Sequence, residues 1–431
     1  MSIIAYRLFL WIYKGGAILL SPFNEKAKRW LSGRKTVFRD LETFIGQNKS
    51  PVIWFHCASL GEFEQARPLL EGIREQYAGY STLLSFFSPS GYEIRKDYSG
   101  ADCVIYLPMD SGRNARRFLD LVKPVLVVWV KYEYWHFYLK GIRQRKIPLL
   151  LVSGIFRPEQ PFFSWWGGFY KNMLGCFTHL FVQTRESKNL LGSIGFSDNV
   201  TISGDTRFDR VIEIAGLAEG LPLVEKFIGG QPVIIAGSTW EADEEELDHF
   251  ANTQTGIKFI IAPHEIDEVH LQDIEKLFRH TVRYSVLETT GDLQKNEGIA
   301  IAGMEHSNAN VLLVDNIGML ARLYQYATIA YVGGGFGDDG VHNVLEAAVY
   351  GKPVIFGPIY EKFVEAVELV DAGGAFSIEN ALELEDTLLL LLKKGEEYNS
   401  SCRAAGNYVS SRNGATRKIL SYIQENRLLT N

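Results

Sequence analysis

Cysteine is scarce and scattered in this 431-residue chain. Cys57, Cys103, Cys176 and Cys402 form no C-x-x-C pair and have no His-x-x-x-His nearby. That spacing argues against a zinc site and against a disulfide framework, and it fits a reducing compartment where four small apolar side chains are packed. No internal repeat or low-complexity tract is visible. A basic folded body is lacking as well. Arg7, Lys14, Lys26, Lys28, Arg29, Arg34, Lys35 and Arg39 stand against Glu25 and Asp40 in residues 1–40, a balance of +6, so a chain of net charge −7 carries −13 elsewhere. A nucleic-acid binder would carry its basic patch on the folded domain, so no nucleic-acid partner is expected.

What is present begins with a greasy, basic arm. Ile3–Leu20 is nearly all apolar, broken by Arg7 and Lys14, which stand seven residues apart and would share one face of a helix. A signal peptide would have its charge in front and a small-residue cleavage site behind, and neither is seen. Charges near the middle of a spanning helix cost about 2.5–3.5 kcal/mol each. A helix lying in the membrane plane puts its cations at the headgroups, and the run Lys26–Arg39 then meets anionic lipid. The competing reading is a helix packed on the body of the same protein.

After residue 50, short apolar runs alternate with amphipathic stretches, the pattern of parallel sheets with crossover helices. Strands are expected at Val52–Cys57, Ser81–Phe87, Cys103–Tyr106, Val125–Val130, Leu149–Val152, Leu180–Gln183 and Val200–Ser203. The rhythm restarts at Val233–Ala236, Phe259–Ala262, Val311–Val314, Ile329–Val332 and Val354–Phe356. The expected division is an arm over 1–40, a first α/β domain over 41–215, a glycine-rich linker over 216–231, a second α/β domain over 232–405 and a helical tail over 406–431. Two doubly wound halves bind ligands outside the C-terminal ends of their strands.

In the first half, Val52–Cys57 runs into Ala58-Ser59-Leu60-Gly61-Glu62 ahead of a helix. Ser-x-x-Glu reads as a capping box, with Glu62 favoured in a first turn by the helix dipole. The same placement suits a general base that must begin ionised. The patch Trp129-Val130-Lys131-Tyr132-Glu133-Tyr134-Trp135 ends another strand, its aromatics equally suited to sugar, acyl chains or core. Arg207, in Gly204–Asp209, has the fork to grip an anion.

In the second half the strongest signal is Gly333-Gly334-Gly335-Phe336-Gly337 after a strand, followed by a helix near His342-Asn343-Val344-Leu345-Glu346. Glycines allow close backbone approach, and a helix N-terminus offers N–H groups to phosphate. Glu346 could accept from a ribose diol. Gly237-Ser238-Thr239 and Asp315-Asn316-Ile317-Gly318 follow other strands. Gly335–Gly340 also fits G-x-G-x-x-G, but it comes late in the chain, carries Asp338 and Asp339 where pyrophosphate would lie, and lacks a clear acidic strand end beyond.

In their order and spacing these motifs resemble the Kdo (3-deoxy-D-manno-octulosonic acid) transferases of lipopolysaccharide synthesis, nearly end to end. The resemblance implies a glycosyltransferase-B fold, two Rossmann-like doubly wound domains facing a cleft, behind an N-terminal membrane-associating helix. It implies inverting transfer of Kdo from CMP-Kdo to a hydroxyl of a lipid A precursor at the cytoplasmic face of the inner membrane, with no cofactor and no protein-bound metal. Glu62 falls on the catalytic base and Arg207 near the reacting centre. Ser238, Thr239, Asn343 and Glu346 fall on the CMP pocket, with His264, Asn316, Gly318, Gly334, Gly335 and His342 on the same nucleotide-sugar side. Ser59, Gly61, Lys131, Glu133 and Trp135 fall on the acceptor side.

The chain departs from the family pattern at several places. Lys131 stands where an acid is usual and His136 where proline is. The arginine usual beside the histidine is missing at Pro263-His264-Glu265, and Asn316 and Met319 replace threonine and glutamate. A transferase using a UDP-sugar, a nucleotide-sugar epimerase and an inactive membrane-surface scaffold are the alternatives.

Overall fold

The protein is described by a computed structural model covering residues 2–131, 133–290 and 309–430. It divides into two compact units, Met1–Arg210 with Asn413–Asn431, and Val211–Arg412.

The first unit is built on β1 (Val52–Cys57), β2 (Ser81–Phe86), β3 (Cys103–Tyr106), β4 (Leu126–Val130), β5 (Leu149–Gly154), β6 (His179–Val182) and β7 (Val200–Ile202). They form one parallel sheet in the order β3-β2-β1-β4-β5-β6-β7. Every residue of β1 is buried, and alternate residues serve opposite faces. Val52 and Trp54 join one core; Ile53, Phe55 and Cys57 join the other. The helix Ala415–Glu425 adds Ile419 and Ile423 to that second core, so the chain's end closes a face of its first sheet. The strand order reverses between β1 and β4, which puts the unit's switch point at the loops after Cys57 and Val130.

The second unit repeats the plan with β8 (Val233–Thr239), β9 (Lys258–Pro263), β10 (Thr281–Arg283), β11 (Val311–Leu313), β12 (Ile329–Val332), β13 (Val354–Phe356) and β14 (Ala375–Ser377). All pairings are parallel, in the order β10-β11-β9-β8-β12-β13-β14. Here the switch point lies between β8 and β12, at Ser238–Trp240 and Gly333–Gly335. Two parallel seven-stranded α/β sheets are the glycosyltransferase-B type of architecture.

Two expected boundaries move. The chain leaves the first unit inside the helix Thr206–Gly216, and the stretch expected as linker holds the helix Pro222–Ile228, with Val224, Phe227 and Ile228 buried. The tail also divides: Glu396–Ser410 stays with the second unit, while Ala415–Glu425 returns to the first. There the Asp209 carboxylate accepts the N–H groups of Gly414 and Thr416 at 2.6 and 2.5 Å.

The arm forms three helices, Ile3–Leu20, Glu25–Ser32 and Val37–Gln47. The first is long and apolar enough to cross a membrane, and 11 % of it is buried. Tyr6 and Leu10 pack inward, and Ile4, Leu8, Trp11, Ile12 and Leu19 are each at least 60 % exposed. Of the basic run, Arg34 does not face outward. Its guanidinium lies 4.0 Å from the Trp30 ring and donates to the carbonyls of Trp30, Phe87 and Leu107. Burial brings its pKa down to about 10.

Candidate functional site

In the first unit the residues singled out by sequence gather at the switch point. Ser59 precedes the helix Leu60–Gln76 as its N-cap, but its side chain makes no capping bond. Glu62, in the first turn and 7 % exposed, reaches past the cap to the N–H of Ala58, which donates to Oε2 at 2.5 Å. The reciprocal capping box is therefore not formed, and the carboxylate is pinned across the strand-to-helix turn. A Cβ added at Gly61 would meet nothing within 4 Å.

The loop after β4 supplies the next side chains. Lys131 takes a left-handed backbone, φ 51°, a conformation that costs a non-glycine residue about 1–2 kcal/mol. Glu133 accepts at Oε2 from Trp135 Nε1 and from His56 Nε2, both at 2.9 Å. The carboxylate can only accept, so Nε2 of His56 carries the hydrogen. His56 is fully buried, and its Nδ1 lies 2.9 Å from the Ser85 hydroxyl. A polar chain running from Ser85 of β2 through His56 of β1 thus fixes Glu133 and Trp135. Tyr132 lies outside the described residues.

Arg207 is forked onto its neighbour: Nε and Nη2 donate to Asp205 Oδ2 at 3.0 and 2.9 Å. Gln65, one turn beyond Glu62, and Gln183, after β6, donate to the same oxygen at 2.8 and 3.1 Å. Burial pushes the Asp205 carboxyl up, but the charges of Arg207 and Lys131 outweigh it and hold it below its ordinary value. Asp205 therefore ties Arg207 and the charge of Lys131 to the helix that carries Glu62. Sequence did not single out Asp205, Gln65, Gln183 or His56 as site residues.

In the second unit three rings stack at the switch point. Trp240 lies 4.8 Å from His264 and His264 lies 4.4 Å from His342, at 27° and 15°. Trp240 Nε1 donates to His342 Nε2 at 3.1 Å. Burial, then the neighbouring His264, lowers the His342 pKa to about 4; burial lowers that of His264 also. The Asp339 charge opposes both shifts, which places that aspartate beside the two histidines.

The glycine loop owes its residues to packing. A Cβ at Gly333 would lie 2.4 Å from the Ser238 carbonyl oxygen, and one at Gly335 would lie 2.5 Å from the backbone nitrogen of Gly357. The Gly334 N–H donates to Asp243 Oδ2 at 2.8 Å, so it is engaged inside the unit. Asp243 also accepts from Trp240 N and Tyr331 Oη. The Thr239 hydroxyl is fully buried and donates to Glu244 Oε1 at 2.7 Å, and Glu244 Oε2 meets His270 Nε2 at 2.9 Å. Thr239 thus braces the loops after β8 and β9 from inside.

The helix after the glycine loop is only Leu345–Ala348. Asn343 Nδ2 donates to Glu346 Oε1 at 2.9 Å, and Asn343 Oδ1 accepts from Leu345 N. Ser238 has φ 55° and Gly318 φ 100°. Asn316, after β11, keeps a buried Oδ1 with no hydrogen-bond partner among the described residues.

Residues 32–210 match the family model for 3-deoxy-D-manno-octulosonic-acid transferase (kdotransferase). A 3-deoxy-D-manno-octulosonic acid transferase of Aquifex aeolicus is 28 % identical over 81 % of this chain and 89 % of its own length. Its counterpart in Bordetella pertussis is 28 % identical over 86 % and 87 %. A bifunctional glycosyltransferase/methyltransferase of Fusobacterium nucleatum is 28 % identical over 95 % of this chain, which spans 60 % of that longer protein. Among solved structures, a UDP-GlcNAc 2-epimerase from Neisseria meningitidis shares the fold, with TM-score 0.58 and 16 % identity over 87 % of this chain and all of its own. The chain is a glycosyltransferase that carries the Kdo transferase family domain at residues 32–210 and is related to the Kdo transferases along most of its length.

Proposed function

We propose that this chain transfers Kdo from CMP-Kdo to a hydroxyl of a lipid A precursor at the cytoplasmic face of the inner membrane, with Glu62 as general base. The observation that carries the proposal is the placement of Glu62, buried in the first turn of the helix after β1 with Oε2 anchored by Ala58 N. A side chain fixed in this way loses little further freedom when it meets a hydroxyl.

In the proposed step the acceptor oxygen attacks the anomeric carbon of Kdo while the bond from that carbon to the CMP phosphate breaks. The hydroxyl proton passes to Glu62, the electron pair leaves with CMP, and configuration inverts. The transition state has oxocarbenium character. Lys131 and Arg207 supply positive charge for the donor's carboxylate. Ser238, His264, Asn316, Gly318, His342 and Asn343, on the second unit's loops, and Glu346, on the short helix Leu345–Ala348, are the candidates for holding CMP. No protein-bound metal or cofactor enters the step. The exposed apolar face of Ile3–Leu20, with Lys26, Lys28, Arg29, Lys35 and Arg39 on the surface, supports anchoring on anionic lipid.

The test is incubation of the purified chain with a lipid A precursor and CMP-Kdo generated in situ, alongside thermal shift with CMP and UDP. Kdo-modified lipid and stabilisation by CMP are expected. A folded protein that UDP stabilises and that makes no Kdo-lipid would replace this reading with a UDP-sugar enzyme.

A further inference from the structure

The arm does more than present an apolar face. Between Ile3–Leu20 and the segment Met109–Asn114 lies a groove of about 550 Å³, lined by Arg7, Trp11, Lys14, Asp110, Arg113 and Asn114 among others. A second groove of about 680 Å³ adjoins it, sharing Lys14, Met109 and Asn114 and adding Lys28 and Lys35. Arg7 and Lys14 line the first groove from the helix, while Arg113 enters from the facing segment.

These cations are not balanced by ion pairs. Among the described residues, Arg7, Lys14, Lys35 and Arg113 form none, whereas Lys28 is paired with Glu25. Asp110 is the carboxylate of the first groove, and it is already committed: it accepts from Tyr6 Oη at 2.6 Å and from the backbone of Phe137 and Tyr138 at 3.0 and 3.1 Å. Three cations thus line a concave site beside Trp11, which is 80 % exposed on a helix whose outward face is apolar. A ligand matching that arrangement carries concentrated negative charge at one end and hydrocarbon at the other.

We infer that this groove binds the phosphate monoester of a membrane lipid, with the lipid's chains lying along the exposed face of Ile3–Leu20. A phosphate monoester carries close to two charges at neutral pH and three acceptor oxygens, which suits a groove lined by three cations better than a single diffuse charge does. The inference rests on the proposed association of the arm with a membrane and adds a headgroup preference to it.

The test is co-sedimentation of the full chain with phosphatidylcholine vesicles containing either phosphatidic acid or phosphatidylserine, matched in surface charge. Tighter binding to phosphatidic acid is expected, with Arg113→Gln lowering that binding about fivefold and leaving phosphatidylserine binding within about twofold. Lys14→Gln provides a second variant, and an unchanged melting temperature shows that either is folded. Equal binding of wild type to both vesicles, or an equal loss on both in the variants, would overturn the site and leave only general electrostatic attraction. Stabilisation by inorganic phosphate that Arg113→Gln abolishes, with no preference between the vesicles, would assign the groove to free phosphate instead. Binding to neither vesicle would overturn the inference together with the membrane reading of the arm.

Discussion

The Glu62 carboxylate takes the backbone N–H of Ala58 at 2.5 Å, one residue outside the cap where a capping box would place it. The side chain is thus an anchored acceptor, and Glu62→Gln keeps the anchor because the amide oxygen can take the same bond. It removes the base. The kcat for Kdo transfer should fall about 10²–10⁴-fold, while CMP binding and the melting temperature stay near wild type. Activity within tenfold of wild type would assign the base elsewhere.

Asp205 and Arg207 make a pair whose two halves should fail differently. Asp205 is buried under five side-chain and backbone donors, so Asp205→Ala takes a shared acceptor from the guanidinium and from two amides. About 3–5 kcal/mol of stability should be lost, visible as an earlier denaturant midpoint. Arg207→Lys keeps the charge and loses the fork. Its expected signature is a drop in kcat/KM of about tenfold or more with the denaturation curve little changed. If both variants only destabilise, Arg207 belongs to the scaffold alone.

The sheets were legible because their strands are buried on both faces and read as continuous apolar runs. β10 and β14 escaped notice because each is a three-residue edge strand with one buried position. The helix Pro222–Ile228 was hidden by flanking glycines that suggested a linker. At the site, Glu62 and Arg207 could be named from pattern, but what orients them could not. Asp243 and Glu244 sit in Glu241-Ala-Asp-Glu-Glu-Glu246, which reads as a solvated acidic helix start, yet both are buried and bonded. Burial of one acid within a run of acids is decided by the tertiary fold and leaves no local signal. Trp240 is similar: a lone aromatic before that run gives no hint that His264 stacks on it and His342 on His264 in turn.

That stack makes a prediction about pH. The His342 pKa falls from an ordinary 6.5 to about 4, because burial and His264 disfavour its cation. An unfolded chain takes up a proton near pH 6.5 that the folded ring refuses until about pH 4. The neutral ring's contribution is therefore complete above pH 6.5 and is lost progressively as pH falls toward 4. The slope should stay below the roughly 1.4 kcal/mol per pH unit of a single fully buried site, since the ring is part-exposed. Urea denaturation across pH 4–7 should show a shallower slope for His342→Gln than for wild type. Equal slopes would mean that the imidazole titrates normally in the fold.

The closing helix Ala415–Glu425 is held in two ways, and magnitudes separate them. Ile419 and Ile423 are fully buried against the first sheet, about 1.5–3 kcal/mol each. Asp209 caps the helix start through Gly414 N and Thr416 N, about 1–2 kcal/mol. Packing of the two isoleucines outweighs the cap, so Asp209→Ala should loosen the helix without unfolding the unit. Amide exchange in 415–428 should quicken about 5- to 30-fold, with exchange in β1 and β4 unaltered. Asp209→Asn keeps one acceptor and should fall between. Ile419→Ala creates a cavity worth about 2–5 kcal/mol, and it should quicken exchange in the helix more than the loss of the cap does. If the cap variant proves the more damaging, the N-terminal anchor rather than the apolar face holds the end of the chain.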